Sequence, residues 1–79
     1  MNEKSVEILL YNIAWLREHN KLSKKKMAKI LDISVKSLNK IENGVLPPKI
    51  SVKIIFNICD FFEIKPKKLF EEKICHSER

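Results

Sequence analysis

The chain contains a single glycine, Gly44, among its 79 residues. Hairpins and bulges draw on glycine because it enters left-handed backbone conformations without steric cost. A sandwich or small barrel needs many such turns, so glycine usage alone favours helices. The placement of apolar residues agrees, since they recur at helical spacing and no strand alternation, internal repeat or low-complexity segment is visible. At this length folding buries roughly 60% of the unfolded chain's surface, so almost every apolar side chain is needed for one core. With 44% hydrophobic and 33% charged residues the chain has a globular composition. The expectation is one all-α domain over residues 1–79, with a core from about 6 to 72 and frayed tails at 1–4 and 73–79.

Five short helices are expected. The first runs from about Ser5 to Asn20, with Leu9, Leu10, Ile13 and Leu16 on its buried stripe and Asn12, Arg17 and Glu18 on the other side. Asn20 is suited to a left-handed helix end, with Lys21 following. Ser23 is a good N-cap for a short second helix that carries Met27, Ala28 and Leu31 inward. Asp32-Ile33 interrupts, and Ser34 caps a third helix from Val35 to about Asn43, held by Leu38 and Ile41 and stopped at Gly44. After the loop Val45–Lys49, Ser51 caps a fourth helix, about Val52 to Phe62, with Ile55, Ile58, Cys59 and Phe62 inward. A last helix starts around Pro66, a residue suited to a first turn, and holds Leu69 and Phe70.

The charge is segmental. Net charge is +6, and nine of the sixteen Lys+Arg lie between Lys21 and Lys53 beside only two acids, Asp32 and Glu42. The rest of the chain is slightly acidic. A basic window on a small helical domain fits a polyanionic partner. For Lys25, Lys26 and Lys29 a merely solvated face explains the charge as well.

The second and third helices, with a tight turn between them, make a helix-turn-helix candidate. Ala28 permits close approach of the two helices, Ile33 plugs the corner, and the outer side of the third helix is free to face a major groove. The run Leu22-Ser23-Lys24-Lys25-Lys26-Met27-Ala28-Lys29-Ile30-Leu31-Asp32-Ile33-Ser34 resembles L-S-Q-x-x-L-A-x-x-L-G-V-S, and Val35 to Gly44 resembles x-x-x-I-x-x-I/W-E-N-G. These are the motifs of the phage-repressor and Cro type of helix-turn-helix, the lambda-repressor-like or XRE family. The resemblance extends over roughly residues 6 to 72.

What this resemblance implies is a five-helix domain that binds double-stranded DNA as a homodimer. Carried over by position, it implies base contacts from Val35, Lys36, Ser37 and Lys40. Phosphate contacts would come from Ser23, Lys24, Asn39, Asn43 and, in the loop, Lys49. It also implies a structural role for Glu42, bonded to Arg17 or nearby backbone. The sequence departs from the pattern at Lys24, where glutamine is usual, at Asp32 and Glu63, where glycine is usual, and at the apolar Ile30. The loop after Gly44 is longer than the commonest form. The surplus apolar residues Phe56, Phe61, Phe70 and Ile74 are candidates for a dimer interface.

Other classes fit less well. Two cysteines without CxxC spacing and two histidines argue against a metal site. The chain lacks a phosphate-cradling glycine loop and a catalytic constellation, so neither an enzyme nor a cofactor nor a small-molecule ligand is expected. No signal segment or membrane span is apparent, which suits the cytoplasm. The alternative is a protein-interaction module, such as an antitoxin, that binds a partner protein and its own promoter.

Overall fold

The computed structural model describes residues 3–46 and 52–71. Helices α1 (Glu3–His19), α2 (Lys24–Leu31), α3 (Val35–Glu42), α4 (Val52–Phe62) and α5 (Pro66–Glu71) follow in order, with no strand among the described residues. Helix α1 lies against α3 and α5, α2 against α3 and α4, and α4 against α5. The helix-turn-helix of α2 and α3 is thus backed by α1 on one side and α4 on the other.

The core is built as the periodicity predicts over α1 to α3. Leu9, Leu10, Ile13 and Leu16 of α1 pack with Met27, Ala28 and Leu31 of α2 and with Leu38 and Ile41 of α3. Ile54 and Ile58 of α4 and Leu69 of α5 complete it. Ile33 and Ile30 are half-buried against this cluster, so the corner is plugged and Ile30 is not an open apolar spot. The rotation of α4 differs from the expected one. Ile54 and Ile58 are its buried pair, whereas Ile55, Cys59 and Phe62 are only half-buried. Apolar residues surround this helix, and periodicity alone does not fix which of two neighbouring stripes faces inward.

Asn12 requires a second correction. Expected on the polar side of α1, it is fully buried, and its amide donates to the Leu69 carbonyl at 2.8 Å. The last carbonyls of a helix have no intrahelical partner, and Asn12 supplies one for α5.

Four helices end alike. Past α1, α2, α3 and α4 one residue enters the left-handed region: Lys21 (φ 55°), Asp32 (φ 61°), Gly44 (φ 79°) and Glu63 (φ 56°). The next N–H then reaches back five residues: Leu22 to Arg17 (3.0 Å), Ile33 to Ala28 (3.0 Å), Val45 to Lys40 (2.8 Å) and Ile64 to Cys59 (3.0 Å). Each closing residue is apolar, as this stop motif favours. Only one of the four uses glycine. At α1 the left-handed residue is Lys21 rather than Asn20, because the Asn20 side chain instead donates to the Leu16 carbonyl at 2.7 Å. The expected cap Ser51 lies outside the described residues.

Candidate nucleic-acid interface

Helix α3 is oriented from behind. Leu38 and Ile41 are buried, and the residues between them face outward: Val35, Lys36 and Lys40 are exposed, as is Asn43 just past the helix. Its start is fixed by Ser34, whose hydroxyl accepts the Ser37 N–H at 3.0 Å. The same hydroxyl lies 3.1 Å from the Ser37 hydroxyl. Ser37 is therefore half-buried and drawn toward the cap, less available than its neighbours. At α2 the Ser23 hydroxyl accepts the Lys26 N–H at 3.0 Å. It keeps a proton to donate to a phosphate oxygen.

The far end of α3 is braced. Arg17 sends Nε to Glu42 Oε2 and Nη2 to Glu42 Oε1 (3.2 Å), while Nη1 donates to the Leu22 carbonyl at 2.9 Å. Their side chains are 15% and 10% exposed, so the pair is largely shielded. The hydrogen bond from Glu42 raises the Arg17 pKa above its ordinary value against the opposing effect of burial. Arg17 thus ties α1, the segment before α2 and the end of α3 together, and Glu42 has the structural role expected of it. Its carboxylate is neutralised rather than offered to an acidic ligand.

Lys24, at the start of α2, reaches across to α3, where its ammonium donates to Asn39 Oδ1 at 2.8 Å. Asn39 is half-buried by that contact. The two residues are fifteen positions apart and join only through the turn, so no spacing pattern in the sequence announces the pair. Lys25, Lys26 and Lys29 are exposed on α2. A further ion pair, Lys53 Nζ to Asp32 Oδ2 at 3.3 Å, links α4 to the turn on an exposed surface. Lys49 lies outside the described residues.

On the far side, Phe56 and Phe61 are exposed, and Phe61 meets Phe62 edge-on with ring centroids 4.9 Å apart. Phe70 is half-buried against the core, and Ile74 lies outside the described residues. Trp15 is half-buried and stacks on His19 at 4.2 Å, so neither ring lies in the basic window as a base-stacking platform.

Two open clefts mark the surface: one of about 260 Å³ between α1 and the end of α3, the other of about 450 Å³ beside Phe56, Cys59 and Pro66. Burial raises the Cys59 thiol pKa, which favours the protonated, poorly nucleophilic form. Among the described residues no cluster of three His, Cys, Asp or Glu could hold a metal ion, and no helix is long and apolar enough to cross a membrane.

Two capped helices joined at a plugged turn, the second buried on one side and lined with lysine and asparagine on the other, define a helix-turn-helix unit of the nucleic-acid-binding kind. A family model described as helix-turn-helix matches residues 13–69, well over half of the chain. The chain belongs to this family of DNA-binding transcription regulators. No curated protein and no solved structure matches it.

Proposed function

We propose that the protein is a sequence-specific repressor that binds double-stranded DNA as a homodimer on a pseudo-palindromic site in the cytoplasm. The observation that carries this reading is the division of α3. Leu38, Ile41 and Glu42 hold it from behind, leaving Val35, Lys36, Lys40 and Asn43 exposed on its outer side. In a two-fold dimer, two such helices would enter successive major grooves about 34 Å apart. Lys36 and Lys40 would donate to guanine O6 and N7, and Val35 would pack on a thymine methyl. Ser23, Lys24 and Asn43 would hold the phosphates on either side and supply a steep salt dependence. Phe56 and Phe61, with Phe70 beside them, are the surface proposed to pair across the two-fold axis. Repression would follow from blocking polymerase.

The test is affinity for the DNA upstream of the protein's own gene against scrambled DNA of equal length, from about 50 to 200 mM salt. A preference of about 10³ or more that survives the higher salt is the expected result. Equal binding that vanishes with salt would overturn the reading in favour of a protein-interaction module.

A further inference from the structure

The contact between Lys24 and Asn39 fixes what Asn39 can say to a base. An ammonium has hydrogens to give and no lone pair to offer. The Asn39 atom that meets Lys24 Nζ at 2.8 Å is therefore the carbonyl oxygen, and the amide's NH2 is left facing away from it. A free asparagine on a recognition helix pairs with adenine through both halves at once, accepting from N6 and donating to N7. Asn39 has its acceptor engaged. Its neighbours on the outer side of α3 do nothing to restore one, since Lys36 and Lys40 are exposed donors and Glu42 is turned inward onto Arg17.

Building on the proposed base-reading role of α3, we infer that Lys24 is a positioning residue for specificity. By holding Asn39 through its oxygen, it makes the side chains on the middle of α3 donors only, so that they take guanine, with its O6 and N7 acceptors, and reject adenine. Lys24 then does two things. Its charge attracts phosphate whatever the sequence, and its hydrogen bond selects the base beneath Asn39. A lysine acting as a point charge alone does only the first.

Selection from randomised duplexes, with sequencing of the bound DNA, separates the two. The variants are Lys24→Met, Lys24→Arg, Asn39→Ala and the double variant Lys24→Met with Asn39→Ala. The wild type is expected to select guanine at a base pair under the middle of α3. Lys24→Met should move that pair toward adenine by about fivefold to a hundredfold. Lys24→Arg, which keeps a donor on the oxygen, should retain guanine. Asn39→Ala should flatten the preference there, and adding Lys24→Met should change nothing further at that pair. Helical circular dichroism of each variant checks that the exposed substitutions leave the fold intact. A Lys24→Met protein that binds all sequences more weakly with the same preference overturns the inference alone. So does a shift toward adenine that persists without Asn39. A wild type with no preferred sequence overturns the proposed function and the inference with it.

Discussion

Replacing Glu42 by alanine removes the partner of a guanidinium that the fold cannot easily hydrate. The Arg17 side chain is 15% exposed and makes two bonds to the Glu42 carboxylate, with a third to the Leu22 carbonyl. Removing one member of a fully buried ion pair costs about 3–5 kcal/mol. Here Arg17 keeps Leu22, retains one partly open edge and has Glu18 at 3.7 Å, so a loss of about 2–3 kcal/mol is expected. For a chain of this length total stability is about 4–12 kcal/mol, and the melting temperature should fall by roughly 10–20 °C. Urea unfolding followed by circular dichroism measures it, with an unchanged slope showing that stability rather than compactness changed. Glu18→Ala is the control, since that carboxylate is 72% exposed and its loss should cost less than about 0.5 kcal/mol. The pH dependence has a definite sign. The folded-state pKa of Arg17 is raised above 12.5, so its contribution is fully present below 12.5 and is lost only as pH rises through the higher folded value. Between pH 7 and 10 the difference between wild type and Glu42→Ala should stay constant. A Glu42→Ala loss no larger than that of Glu18→Ala would refute the bracing argument.

Asn12→Leu should cost about 1–3 kcal/mol by leaving the Leu69 carbonyl without its amide donor, and hydrogen exchange should rise first in α5; unchanged protection there would count against the tether. Glu63→Gly should stabilise the fold by about 1 kcal/mol because it relieves a left-handed backbone at φ 56°, and a lower melting temperature would contradict this. Phe56→Ser with Phe61→Ser should leave the helix content intact and give a monomer by sedimentation at tens of micromolar; a dimer that survives both changes would place the interface elsewhere.

The parts of this fold that were legible in the sequence are those fixed by neighbours in the chain. Ser23 and Ser34 cap α2 and α3 through N–H groups three residues on, and Asp32 and Gly44 take the left-handed positions at their ends. Both are local events, and residue type announces them. The resemblance also anticipates the pairing of Glu42 with Arg17. Three features escape this kind of reading. Asn12 meets a carbonyl 57 positions away, and a polar residue on a helix reads as exposed unless that partner is known. Helix α4 has apolar residues on most of its circumference, so Ile54 and Ile55 compete for the inward place on nearly equal terms. Lys21 adopts a left-handed conformation that its side chain does not favour, because Asn20 is drawn away to Leu16 and Leu22 seals the stop from the next position. The site followed the same division, with Val35, Lys36 and Lys40 expected to face outward but the bond from Lys24 to Asn39 visible only in three dimensions.

The bond from Asn12 to Leu69 also orders events during synthesis. The amide is made early, the carbonyl late, and everything needed for α2 and α3 lies between them. A growing chain can hold both helices of the reading head while α1 still has an unsatisfied amide on the face that α5 will cover. An unmatched polar group there works against closing the core. The emerging polypeptide therefore has a built-in delay, in which the surface meant for DNA exists in outline before its backing is locked. Competence would arrive as a single late step, and a ribosome stalled before α5 would release a fragment that carries the lysines without the rigidity that gives them meaning.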